Sequence, residues 1–168
     1  MALAPSRRAH YASPFARGLV DEGMSTLQRI EIATTAAEIE RCFAVMHQLR
    51  PLLIAGEFVA RVQAQQAEGY QLAFLEDSGV VVAVAGFRMQ NLLATGKTLY
   101  VDDLVTNAAV RSRGHGEALL QWLITLAREA GCEMFSLDSG TQRQDAHAFY
   151  LRNRMRITSF HFALPLGR

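Results

Sequence analysis

A sharp strand-to-helix passage built on Arg111-Ser112-Arg113-Gly114-His115-Gly116 constrains this chain more than any other segment. Thr98 to Thr106 is rich in aromatic, Val and Leu positions and predicts a strand. Glu117 to Ala130 places Leu119, Leu120, Leu123, Ile124 and Ala127 on one helical face. Gly131 then supplies the stop. Two glycines at a helix entrance let the backbone approach a ligand closely. The unpaired N–H groups of the first turn, with the positive end of the helix dipole, favour an anion at that point. Arg111 and Arg113 add fixed positive charge, so the segment reads as a phosphate cradle.

Around that passage strands and helices follow in a regular order. A strand is expected near Leu27 to Ala33, then a helix capped by Thr34 or Thr35, then a second helix near Glu57 to Glu68. Tyr70 to Glu76 and Val80 to Met89 predict two strands joined by Asp77-Ser78-Gly79, because Ser-Gly supplies a residue able to take positive φ. The second of these strands is almost continuous in Val and Ala, the pattern of a strand buried on both faces. A turn at Ala94-Thr95-Gly96 precedes the strand that ends in the cradle. After the cradle helix come a strand at Glu133 to Leu137, a short helix at Asp145 to Arg152 and a final strand at Ile157 to Leu164. The expected fold class is α/β (α+β), a mixed sheet with helices on both faces.

A chain of 168 residues, half of them hydrophobic, suits one packed domain. Residues 1–26 mix Ala, Ser, Pro, Arg and Gly without periodicity and offer no core face, so they are expected to be an extension preceding a single domain over residues 27–168. Met24-Ser25-Thr26 has the look of an ordinary start, which would make the first 23 residues an upstream extension. The net charge of +1 and the lack of a run of four Lys or Arg argue against nucleic acid as a partner. The longest apolar stretch, Val80 to Phe87, is too short to cross a bilayer, and no secretory leader is evident, so no membrane partner and a cytoplasmic location are expected. Cys42 and Cys132 read as reduced, buried small hydrophobes. The five histidines show no metal-ligand spacing, and no metal is expected. A dinucleotide site would need a small residue where Leu119 stands, and a P-loop would need a Gly-Lys-Ser/Thr that is absent.

Arg111, Gly114 and Gly116 fill the three restricted places of the pyrophosphate loop of the GCN5-related N-acetyltransferase (GNAT) family, which reads Arg or Gln, two free positions, Gly, one free position, then Gly or Ala. Upstream, Tyr100-Val101-Asp102-Asp103-Leu104-Val105 resembles the family's central strand with its acidic pair. Downstream, Ala146-His147-Ala148-Phe149-Tyr150 resembles its late helix with the Phe/Leu-Tyr ending. The resemblance extends over roughly residues 27 to 165. It implies the acyl-CoA N-acyltransferase fold with a mostly antiparallel central sheet, acetyl-CoA as acyl donor, a primary amine on a small molecule or peptide as acceptor, and a homodimer as a common assembly.

Acyl transfer from a thioester to an amine needs a neutral amine, a place for a developing oxyanion and a proton for the departing thiolate. An alkyl amine with a pKa of about 10.4 is unprotonated in only roughly one molecule in a thousand at neutral pH, so a proton acceptor matters. Strand alternation is expected to point Asp102 and Asp103 to opposite sides, which gives them different jobs. The resemblance assigns the acceptor role to Asp102, whose short side chain favours a water relay, and leaves Asp103 to bond backbone or an arginine. It assigns Tyr150 as the acid that protonates the thiolate. Backbone groups of Leu104, Val105 and Thr106 would hold the pantetheine arm, while Arg111, Ser112, Arg113, Gly114, His115, Gly116 and Glu117 would form the cradle. His115 is expected to face solvent or a phosphate, and His147, one turn before Tyr150, to pack. Two departures stand out. Arg143 occupies the place of a cofactor-binding Asn, where it could meet a phosphate. Arg154-Met155 replaces a Gly-aromatic pair, at a cost of about 1 to 2 kcal/mol if the turn needs a left-handed residue. The acceptor pocket is expected between roughly Arg50 to Phe58 and Ser139 to Gln144. The rivals to an acetyltransferase are a CoA-binding sensor or subunit without turnover and an acyltransferase for a longer thioester. Retention of both Asp102 and Tyr150 favours the enzyme.

Overall fold

The computed structural model describes residues 27–167; the expected extension over residues 1–26 lies outside the described residues. The described chain runs β1 (Gln28–Ile32), α1 (Ala36–Leu49), α2 (Ala55–Gln66), β2 (Tyr70–Asp77), β3 (Val80–Leu92), β4 (Gly96–Thr106), α3 (His115–Glu129), β5 (Met134–Leu137) and α4 (Gln144–Arg152), with a 3₁₀ turn at Ala108–Val110. The strands form one sheet in the order β1-β2-β3-β4-β5. Successive pairs from β1 to β4 are antiparallel, and only β4 and β5 are parallel.

Local chemistry sets the element boundaries. Thr35 caps α1 with a complete capping box: the Glu38 N–H donates to the Thr35 hydroxyl at 3.2 Å, and the Glu38 carboxylate accepts the N–H groups of Thr34 and Thr35 at 2.8 and 2.9 Å. The β2–β3 hairpin turns on Ser78 and Gly79, both at positive φ, as a two-residue primed turn requires. Thr106 ends β4, and Gly114, at φ 84, precedes the first turn of α3.

The sheet divides the core in two. On one face α3 buries Leu119, Leu123, Leu126 and Ala127 against Ala85, Phe87, Leu99 and Val101. On the other, Ile39, Cys42, Val45 and Met46 of α1 and Phe58 and Val62 of α2 cover Tyr70, Leu72, Phe74, Val84 and Val105. The Val81 to Phe87 stretch of β3 is buried throughout, as its unbroken apolar run predicts. Both cysteines are free, Cys42 buried and Cys132 half-buried.

The expected final strand at Ile157 to Leu164 is not there. Residues 157–164 take no strand pairing, and Ile157, Phe160, Phe162 and Leu164 are all strongly exposed. Alternation of apolar residues signals only a propensity, whereas a strand exists through its ladder, and β5 pairs with β4 alone. No helix among the described residues is long and apolar enough to cross a membrane.

Candidate active site

The site is built on a parting of strands. β5 pairs with β4 only from Thr98–Met134 to Val101–Leu137, while β4 runs on to Thr106. Beyond Val101 the backbone groups of β4 on that side have no ladder partner and must find one elsewhere. A cleft of about 1000 Å³ opens there. Its walls are the end of β4 (Leu104, Val105, Thr106), the start of α3 (Arg111, Ser112, Gly114, His115, Gly116, Glu117), the last turn of α1 (Gln48, Leu49), and α4 with the loop before it (Arg143, Phe149 and Tyr150 among them).

Three backbone details suit the α3 end of the cleft to an anion. Ser112 and Gly114 both hold positive φ, at 62° and 84°, which turns successive N–H groups toward one concavity. Gly114 is the N-cap of α3 and offers no side-chain cap, so the first-turn donors stay free. A Cβ on Gly114 would meet nothing within 4 Å, whereas one on Gly116 would stand 2.8 Å from the Thr106 hydroxyl. The first glycine thus opens onto space and the second presses the helix start against the end of β4. These residues fit the pyrophosphate of a CoA-type molecule, with Arg111 and the dipole of a fifteen-residue helix at hand.

His115 is placed otherwise than expected. Its side chain is 4% exposed, and Nε2 lies 3.8 Å from Asp77 Oδ2 at the β2–β3 hairpin, so it turns inward under the helix start rather than toward solvent or a phosphate. The reason is helical geometry: the first residue of α3 follows the glycine cap onto the face that packs on the sheet. Arg113 is absent from the cleft walls, and its charge acts on Asp77, whose carboxyl is held below the usual range chiefly by hydrogen bonds from Gln28 and Ser78.

Tyr150 lines the cleft on α4, where burial pushes its phenol above the usual range, opposed by the positive charge of Arg143. A phenol so shifted is fully protonated near neutrality. Arg143 stands at the N-cap position of α4 and also faces the cleft. His147 Nε2 donates to the Gly140 carbonyl at 3.0 Å, a bond that ties α4 to the loop after β5.

The acidic pair does not obey simple alternation. Asp103 pairs with Gly86 and Val101 with Phe87, so Asp102 is an extra residue bulged out of β4. The bulge turns both carboxylates to the α1–α2 side, against the expectation of opposite sides. Asp103 accepts from Arg50 Nε at 2.7 Å and from the Tyr70 hydroxyl at 3.4 Å. Asp102 accepts from Arg88 Nε at 2.9 and 3.3 Å, and Arg50 Nη2 donates to the Asp102 carbonyl at 3.1 Å. Burial raises the Asp102 carboxyl above its usual range, with Arg88 pulling it down and Asp103 pushing it up. Asp102 is not among the residues that line the cleft.

Sequence patterns alone leave Arg50, Tyr70 and Arg88 unassigned as neighbours of the pair. One signal was available for Tyr70: Gly86 lies beside it across the hairpin, and any Cβ there would collide with the Tyr70 ring, so the glycine is the gap that lets the phenol reach β4. Gln48 is another unassigned neighbour; its side-chain carbonyl accepts the Ala108 N–H at 2.8 Å and fixes the end of β4.

Comparison with known proteins agrees with this fold. The sequence model of the acetyltransferase (GNAT) family matches residues 34–154. The uncharacterized N-acetyltransferase YhdJ of Bacillus subtilis is 35% identical over 135 residues, covering 79% of this chain and 95% of that protein. The aminoalkylphosphonate N-acetyltransferase of Salmonella typhimurium is 34% identical over 98 residues, 58% of this chain and 62% of that protein. Among solved structures, an aminoglycoside N-acetyltransferase in complex with CoA superposes with a TM-score of 0.70 at 13% identity, over 82% of this chain and 95% of that one. Glucosamine-6-phosphate N-acetyltransferase from Arabidopsis thaliana gives 0.65 at 19% identity, over 82% and 99%.

Proposed function

This chain belongs to the acetyltransferase (GNAT) family and is an N-acetyltransferase, and on that premise we propose that it moves an acetyl group from acetyl-CoA to a primary amine of a small molecule or peptide by direct attack in a ternary complex. The observation that carries the reading is one cleft holding a free strand end, a glycine-opened helix start and a half-buried, protonated phenol. The thioester supplies an acetyl carbon already activated toward nitrogen. Gly114, Gly116 and the first-turn N–H groups of α3 hold the pyrophosphate, with Arg111 and Arg143 adding charge. Leu104, Val105 and Thr106 offer unpaired backbone groups to the pantetheine arm and to the carbonyl oxygen that gains charge.

Asp102 takes the proton that the amine loses as its nitrogen bonds the acetyl carbon, directly or through one water. Its raised affinity for protons, due to burial, suits a base, and its contact through Arg88 with α2 suits an amine arriving from the α1–α2 side. Tyr150 gives its phenolic proton to sulfur as the carbon–sulfur bond breaks, so the products are the N-acetyl amine and the free thiol. Arg50, beside the acidic pair, lies within the stretch expected to line the acceptor pocket.

The test is thiol release from acetyl-CoA against a panel of amines, with aminoalkylphosphonates included because one relative's name specifies them. Amine-dependent release of CoA, with N-acetyl product by mass spectrometry, is the expected result. Tight CoA binding with no thiol released for any amine would overturn the enzyme reading in favour of a sensor.

A further inference from the structure

Arg88 on β3 is held from three sides at the point where β4 bulges. Its Nε donates to both oxygens of Asp102, its Nη2 donates to Gln65 Oε1 on α2 at 2.9 Å, and its guanidinium carbon lies 5.4 Å from the centroid of the Tyr70 ring. We propose that Arg88 is the positioning residue of the proton acceptor: it fixes the direction in which Asp102 faces the attacking amine and keeps that carboxylate in its charged, proton-accepting form. The inference rests on the reading of Asp102 as the acceptor.

Geometry separates the two aspartates. Asp103 is engaged at both oxygens, by Arg50 and by Tyr70, and its side chain is 13% exposed. Asp102 is 26% exposed, and Arg88 is its side-chain partner. A bulged residue has no ladder to fix its backbone, so its carboxylate needs an outside hold. Arg88 supplies that hold from an adjacent strand, and Gln65 with the Tyr70 face fixes the guanidinium in turn. A planar fork stacked on an aromatic face sets direction as well as charge, which a lysine ammonium does not.

The charge balance around Asp102 points the same way. Burial favours the protonated acid and Asp103 adds to that, whereas Arg88, and then Arg50, favour the carboxylate. Burial is the leading cause that pushes Tyr70 far above the ordinary phenol range and Tyr100 up to about 12, so neither phenol changes charge where enzymes are assayed. In acid, therefore, Asp102 changes charge while the phenols beside it do not. Arg88 keeps Asp102 from taking a proton from solvent before the amine offers one.

The experiment is the pH dependence of kcat/KM from pH 5 to 9 for the wild type, Arg88→Gln, Arg88→Lys and Asp102→Asn, with CoA affinity by calorimetry alongside. Arg88→Gln should move the acid limb up by roughly 1 pH unit or more, the size of effect an adjacent opposite charge exerts. CoA affinity should stay within about twofold, because the cradle is built from other residues. Arg88→Lys should leave the limb near its wild-type place, since the charge remains, but lower the plateau, since the fork is gone. A limb that does not move in Arg88→Gln while Asp102→Asn is inactive overturns the role of Arg88 and leaves Asp102 standing as acceptor. Wild-type rates for Asp102→Asn across the pH range overturn the acceptor reading itself, and this inference with it. If Arg88→Gln does not fold, Arg88→Lys decides: a wild-type plateau there overturns the positioning role.

Discussion

Replacing Gly116 by Ala tests the anchoring of the cradle. A methyl group there would stand 2.8 Å from the Thr106 hydroxyl oxygen, closer than real side-chain carbons approach. Two movements relieve the contact. Thr106 can rotate about χ1, but it is β-branched, so another substituent swings toward the place the oxygen leaves. Otherwise the first turn of α3 shifts away from β4. Overpacking of this kind costs about 1 to 3 kcal/mol. If the helix start yields, the cost falls on the geometry that holds pyrophosphate, and CoA affinity should drop by about 5- to 150-fold, since each 1.4 kcal/mol is tenfold. Calorimetry with CoA on the folded variant measures it. The double variant Thr106→Ala/Gly116→Ala removes the obstructing atoms and should recover most of the affinity, a non-additivity expected of residues in contact. An unchanged dissociation constant for Gly116→Ala would refute the reasoning, as would a double variant that binds no better than the single one.

Two other predictions follow from charge and proton placement. Tyr150→Phe should lower turnover by roughly 10²- to 10⁴-fold, the range of general-acid effects, with CoA affinity little changed; steady-state rates with calorimetry check it, and an unaltered kcat removes Tyr150 as the acid. Glu76, buried under Arg41 and Arg29, has its carboxyl held below the usual range chiefly by the hydrogen bond from Arg41. A depressed folded pKa gives stability that is present above the unfolded value and lost as pH falls through the folded one. Glu76→Gln should therefore lower Tm at pH 7 by about 2 to 4 °C, discounted for the exposure of both arginines. Its Tm should also fall less than the wild type's between pH 5 and 3, and parallel curves by calorimetry would count against the pairing.

Features encoded by neighbours in sequence were legible. The capping box at Thr35 and Glu38, the Ser78-Gly79 turn and the buried stripe of α3 each depend on residues a few positions apart. Departures from the family pattern were legible too: Arg154, standing where a glycine is common, does take φ 62. At about 1 to 2 kcal/mol relative to Gly, that conformation is tolerated because Arg154 and Met155 donate N–H bonds back to Leu151 and Tyr150, closing the last turn of α4. The tail shows the limit of such signals. Phe160, Phe162 and Leu164 alternate as a strand should, but pairing is a relation between segments, and alternation in one segment does not supply the other.

The same distinction runs through the site. The cradle is made of backbone, so a few residues of one passage, Arg111 to Gly116, carry nearly all of it, and a short motif is enough to read it. His115 misleads within that motif because its burial depends on Asp77 and the hairpin, far away in sequence. The proposed proton-accepting side is made of side chains brought together from β2, β3, β4 and the end of α1: Tyr70, Arg88, Asp102, Asp103 and Arg50. Its organising fact is the one-residue bulge at Asp102, which reverses the face of a carboxylate. A bulge is a mismatch between two strands and leaves no mark in the period of either. The trace it does leave is indirect. Gly86, small where β3 is otherwise packed with larger residues, lets a phenol cross from β2 to Asp103, and a lone glycine in a buried strand marks such a close approach.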